Sequence, residues 1–106
     1  MFKNLEHLIK VIRQRKNSSS DTSYTNKLLN DKNLCVSKVK EEIGELIEAV
    51  EKNSNKTHEA ADVIYHLIVY LETNGVMIED VMDELKKRQK WVMIKIISLQ
   101  KFLEEK

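Results

Sequence analysis

Apolar residues return along this chain every three or four positions, and polar interruptions cut the pattern into segments. Phe2, Leu5, Leu8, Ile9 and Ile12 share one helical face, which predicts an amphipathic helix over residues ~2 to 16. Asn17 to Asp21 (NSSSD) is a polar loop. Ser23 to Leu29 (SYTNKLL) is a short helix or turn, with Ser23 or Thr22 as its cap. Asn30 to Asn33 (NDKN) is a second break. Val36, Val39, Ile43, Leu46, Ile47 and Val50 then form an apolar stripe on a helix from about Cys35 to Lys52. Asn53 to Thr57 interrupts it and offers Asn55 or Thr57 as the next cap. The following helix runs to about Asn74 and stops at Gly75, a residue type favoured just past a helix end. A last helix starts near Ile78, turns Val81, Leu85 and Val92 inward, and continues to about Leu103. The 3.6-residue period, the absence of proline and the presence of only two glycines predict an all-α fold, an antiparallel bundle of four to five helices.

One segment stands out within this pattern. Ala60, Ala61, Val63, Ile64, Tyr65, Leu67, Ile68, Val69 and Leu71 leave little of their helix polar, so it is expected to lie at the centre of the bundle. Yet it carries Glu59, Asp62 and His66, which fall within one stripe of roughly 60° at ~100° per residue. On the preceding helix Glu42 and Glu45 share a flank beside the apolar stripe, while Glu41 and Glu48 sit nearer solvent. An antiparallel pairing lets the two acidic flanks face each other. A Glu-rich helix face is more often merely solvated, and Glu41, Glu48 and Glu51 fit that reading. Glu59 and Asp62 fit it poorly, because a buried helix tolerates few unpaired acids. Converging carboxylates raise one another's pKa and lose hydration, and a hard divalent cation relieves both costs. Magnesium takes oxygen ligands, keeps several waters and bridges to phosphates, so the pattern predicts an open Mg²⁺ site (Mn²⁺ being the alternative ion) for a phosphate-bearing substrate.

Composition narrows the setting. The chain has 106 residues, the length of one domain. A formal charge of +1 gives no bulk field that selects a nucleic acid, although Lys86, Lys87, Arg88, Lys90 and Lys95 form a basic stretch. A single cysteine, Cys35, excludes an internal disulfide and fits a reducing, cytoplasmic compartment. The N-terminal residues mix Lys3, Glu6, His7, Lys10 and Arg13 with apolar ones, unlike a secretory signal, and no run approaches the ~20 apolar residues of a membrane span.

These residues also carry a resemblance. E-x-x-E, a gap, then E-x-x-D appears here as Glu42-Ile-Gly-Glu45 and Glu59-Ala-Ala-Asp62, and resembles the MazG-type all-α NTP pyrophosphatases. SYTNKLL (Ser23 to Leu29), KVKEE (Lys38 to Glu42), EAADVIYHLIVYL (Glu59 to Leu71) and GVMIEDVMDELKKR (Gly75 to Arg88) resemble more narrowly the phosphoribosyl-ATP pyrophosphohydrolases of histidine biosynthesis. Arg15-Lys16 is similar to that family's R-K before the SYT segment. Lys40 stands where the family has glycine, the segment between Leu29 and Val36 is divergent, and residues 89–106 extend beyond the likeness.

The resemblance implies a single pyrophosphohydrolase domain over residues 1–106, with 89–106 a helical extension. It implies hydrolysis of the α–β phosphoanhydride of phosphoribosyl-ATP to phosphoribosyl-AMP and pyrophosphate. Glu42, Glu45, Glu59 and Asp62 would hold the metal, with Glu41 and His66 supporting them and Glu48 at the margin. Glu45, or else Glu42, would take the proton of the attacking water. Lys27, Lys38, Arg15 and Arg88 would balance substrate charge or form ordinary surface pairs. Ser23, Tyr24 and Thr25 would bind substrate or only cap and orient their helix. His66 reads as a satisfied core histidine or a partner of Asp62 rather than a ligand, and His7 and His58 as surface residues. Family members are homodimers, and Trp91, Ile94, Ile97 and Phe102, if exposed, would add interface. A basic amphipathic tail lying on a membrane is the weaker reading of that extension. Two rivals remain at this stage: a MazG-type pyrophosphatase acting on a free (d)NTP, and a helical interaction module without activity.

Overall fold

The computed structural model describes residues 1–18 and 23–104, with the side chains of 91, 92 and 94–99 excepted. Among these residues the chain is all-α, as the periodicity predicts. Two compact units make it up, residues 1–76 and 77–106. In the first, α1 (Lys3–Gln14) runs into a 3₁₀ turn (Arg15–Asn17), followed by α2 (Tyr24–Leu29), α3 (Lys32–Lys52) and α4 (Lys56–Thr73). The second holds α5 (Ile78–Glu104).

Local chemistry explains each boundary. The Ser23 side chain accepts from the Asn26 amide, so Ser23 is the N-cap of α2. Thr22, the alternative cap, and most of the Asn17–Asp21 loop lie outside the described residues. The third helix begins earlier than the apolar stripe indicates. Asp31 accepts from the Leu34 amide and caps it, so only Asn30 and Asp31 of NDKN break the chain. Asn53 closes this helix in the left-handed region (φ 53°). The Asn53 amide bonds the Val50 carbonyl at 3.2 Å and the Ser54 amide bonds Ala49 at 3.0 Å, a Schellman closure with asparagine in glycine's usual place. Asn55, also left-handed (φ 57°), precedes α4 but makes no side-chain cap. Gly75 (φ 69°) ends α4 in the same manner, with Val76 bonding Leu71 at 2.9 Å and Gly75 bonding Glu72 at 3.3 Å.

Ile12, Leu28, Cys35, Ile68 and Val69 form the core of the first unit, joining all four of its α-helices. Leu28 is fully enclosed. Leu28→Ala is therefore expected to cost about 3 kcal/mol, read as a lower urea midpoint at unchanged m-value.

The α4 helix is less central than its composition predicts. Its α1–α2 side is buried, whereas Ile64 and Leu67 remain 47% and 42% exposed. The α3 stripe behaves in the same way, with Ile43, Ile47 and Val50 at 42%, 55% and 56%. Helical periodicity places each set on one face of its own helix. The side chains of Trp91, Val92, Ile94 and Ile97 lie outside those described. Phe102 and Leu85 are about half exposed.

Candidate metal and substrate site

The turn at residues 53–55 returns the chain on itself and sets α3 against α4. Spacings of three residues on each helix then present Glu42 and Glu45 from one side and Glu59 and Asp62 from the other. Carboxylate oxygens of Glu42, Glu45 and Glu59 lie within 4.8 Å of one another. His58, Glu59 and Asp62 form a second group within the same 4.8 Å limit. Glu59 belongs to both, so the four acids form one continuous centre. Glu41 and Glu48 belong to neither group and pair with Lys38 (3.2 Å) and Lys52.

The centre is electrostatically uncomfortable by itself. Oε2 of Glu42 and Oε2 of Glu59 are enclosed and accept no hydrogen bond among the described residues. Lost hydration pushes the Glu42 carboxyl above its ordinary range, and the Glu45 charge pushes it further. Glu59 is raised for the same reasons in the same order, with His58 opposing. A cluster of hard oxygen donors with partnerless enclosed atoms fits a hard divalent cation.

A second layer braces this centre. Nδ1 of His66 lies 2.7 Å from the Asp62 carbonyl, which can only accept, so this nitrogen carries the proton. In the neutral ring Nε2 is then the acceptor, and the Tyr24 hydroxyl donates to it at 3.1 Å. His66 thus partners the backbone of Asp62 and is a satisfied, buried histidine. Thr25 and Tyr65 are joined through their hydroxyls. Tyr65 meets His66 edge-on with centroids 4.9 Å apart.

The cations predicted from the sequence are dispersed. Lys38 lies on α3 within its Glu41 pair. Lys27 and Arg15 are exposed near the ends of α2 and α1. Arg88 belongs to the second unit and pairs with Glu84 at 3.3 Å.

Two buried polar residues were missed by sequence reasoning. Glu72 is buried, with Arg13 Nε at 2.9 Å and Lys16 at 3.7 Å, and ties the end of α1 to α4. The anomaly that singles out Glu59 and Asp62, an acid on a nearly all-apolar helix, applied to Glu72 as well. Asn26 is also buried, and its amide donates to the Arg15 and Lys16 carbonyls at 2.7 and 3.1 Å. Nothing in its local pattern announces those distant partners. His58 is a surface residue as expected, yet its Nε2 lies 3.4 Å from Asp62 Oδ2, a contact that the i, i+4 spacing makes available.

Comparison with known proteins decides the family. The profile of phosphoribosyl-ATP pyrophosphohydrolase matches residues 5–89. The chain belongs to the phosphoribosyl-ATP pyrophosphohydrolase family. It is 44% identical over 94 residues to the phosphoribosyl-ATP pyrophosphatase of Clostridium novyi, covering 83% of each chain. It is 41% identical over 88 residues to the enzyme of the same name from Cereibacter sphaeroides, covering 80% of this chain and 85% of that one. A chloroplastic histidine biosynthesis bifunctional protein of Arabidopsis thaliana is 40% identical over 92 residues. That match covers 79% of this chain but only 33% of the longer plant protein. The pyrophosphohydrolase match contains α2 and the whole α3–α4 pair, and it ends before most of the second half of α5.

Proposed function

We propose that this chain hydrolyses the α–β phosphoanhydride of phosphoribosyl-ATP, releasing pyrophosphate and phosphoribosyl-AMP as a step of histidine biosynthesis. The observation that carries this reading is the family match across residues 5–89, which includes all four converging acids. Glu42, Glu45, Glu59 and Asp62 would hold Mg²⁺ or Mn²⁺. A bound divalent cation supplies neutralisation of phosphate charge and acidification of water. Glu45, more exposed than Glu42 and Glu59, is our assignment for the carboxylate that accepts the proton of the attacking water. Lys27, Lys38 and Arg15 are assigned to the remaining phosphate charge.

Release of pyrophosphate tests the proposal. Turnover of phosphoribosyl-ATP with added Mg²⁺, and none of ATP, is the expected result. Preference for a free dNTP would replace it with a nucleotide house-cleaning role. Silence on every nucleotide would leave an interaction module. Lys27→Ala is expected to raise KM several-fold while a magnesium-induced rise in melting temperature persists, because lysine acts on phosphate as a point charge. Unchanged kinetics would return Lys27 to the ordinary surface.

The proposal includes a homodimer. Ile43, Ile47 and Val50 share an exposed face of α3, Ile64 and Leu67 one of α4, and a second copy of the same helix pair would bury them. It also includes one functional domain across residues 1–106 and a cytoplasmic setting. The enclosed, unpaired Cys35 suits a reducing compartment, its thiol pushed up by burial. Among the described residues no helix is long and apolar enough to cross a membrane.

A further inference from the structure

The SYT segment meets α4 one turn from Asp62, and its Tyr24 and Thr25 hydroxyls are already bonded there. The Ser23 hydroxyl accepts from the Asn26 amide. The Tyr24 proton points to His66 and the Thr25 hydroxyl is bonded to Tyr65. A phosphate oxygen needs donors. With its one proton committed to Nε2, the Tyr24 oxygen offers only lone pairs outward, which repel an anion. Burial also raises the Tyr24 pKa, though Lys38 opposes this, so the phenol keeps that proton. Neighbouring residues of α2 thus hold neighbouring residues of α4, Tyr24 on His66 and Thr25 on Tyr65. His66 passes the constraint back one turn, to the Asp62 carbonyl.

We propose that Tyr24 and Thr25 are positioning residues, a clasp that sets the Glu59–Asp62 turn of α4 against Glu42 and Glu45, and not ligands of the substrate phosphates. The inference rests on the reading of the four acids as the reaction centre. It assigns the Tyr24 and Thr25 hydroxyls to the geometry of that centre and leaves the phosphates to other donors, the cationic side chains first. Partners of this kind, one step behind metal-binding groups, typically carry ~10- to 100-fold in metal affinity or activity.

Tyr24→Phe keeps the ring and removes only the hydroxyl. We expect kcat to fall by about tenfold with KM changed less than about twofold, and the Mg²⁺ concentration needed for half of the thermal stabilisation to rise several-fold. A raised KM with intact kcat would show that the hydroxyl touches substrate and would overturn the proposal. So would unchanged kinetics together with an unchanged magnesium response. Nitrogen-15 NMR of the wild-type imidazole at alkaline pH reads the clasp without substrate. A neutral His66 protonated on Nδ1 is expected, with the Nε2 resonance shifted in Tyr24→Phe as its hydrogen bond is lost and the Nδ1 proton retained on the Asp62 carbonyl. A wild-type ring protonated on Nε2 overturns the proposal. If wild type releases no pyrophosphate from phosphoribosyl-ATP, the functional reading fails, while the NMR and the magnesium response still decide the clasp.

Discussion

Glu42→Gln is expected to lower pyrophosphate release by about a thousandfold, equivalent to roughly 4 kcal/mol of transition-state stabilisation, without unfolding the protein. The magnesium-free protein should show the opposite of damage. The Glu42 carboxyl is raised in the folded state by lost hydration and by Glu45. Its contribution to stability is therefore fully present below the unfolded value of about 4.3 and is lost as pH rises through the folded value. At neutral pH the metal-free wild type lacks that contribution and retains the repulsion. Glutamine has no charge to repel, so metal-free Glu42→Gln should melt at the wild-type temperature or slightly above it. It should also lack Glu42's share of the wild type's gain toward acid pH, while Glu59, raised by lost hydration, keeps its own. Magnesium binds the folded site and little of the unfolded chain, so it raises the wild-type melting temperature, and this rise should shrink sharply in the variant. Asp62→Asn should lose hydrolysis and the magnesium response in parallel. Glu51→Gln, on the exposed surface of α3, should change neither. Melting curves in a chelator across pH, repeated with magnesium, make the measurement. A Glu42→Gln protein that is markedly less stable without metal, or one that still turns over at near wild-type rate, would make Glu42 a structural residue.

The second large effect concerns the exposed apolar faces of the same two helices. Ile47 and Ile64, 55% and 47% exposed in the single chain, become core residues if two copies meet there. Replacing both with glutamate would set unpaired charges into that core, at a cost that an interface of isoleucines cannot absorb. Ile47→Glu/Ile64→Glu is expected to run as a monomer on light scattering and to melt on the order of ten degrees lower. Were these residues surface ornaments, the change would improve solubility and leave mass and melt unaltered. A dimer that survives would move the interface elsewhere.

The sequence made different parts of this molecule legible for different reasons. Helix number and type followed from periodicity, and the ends at Lys52 and Gly75 from glycine and asparagine at the closures. The start of α3 did not, because Asp31 caps it well ahead of Val36, where the apolar stripe begins. Proximity of Glu42, Glu45 and Glu59 could be read because all three lie on one helix pair, where spacing and a short turn determine neighbours. The Glu72–Arg13 pair and the Asn26 contacts could not, since they bridge segments whose relative placement depends on packing. The exposure of Ile64 and Leu67 was hidden for a related reason. A helix that is apolar all round signals burial, but it does not say whether the covering atoms belong to the same chain.

The three-residue turn at 53–55 has a kinetic consequence. All four acids lie on the two helices it joins, so their meeting closes a small loop, and contacts of low sequence separation form quickly. In such a chain the repulsion within the centre is encountered early on the folding route, before α1 and α2 have covered the pair. A cation that relieves it would then act on the folding barrier as well as on the finished state. Magnesium would lengthen the life of the native protein less than it shortens the search for it.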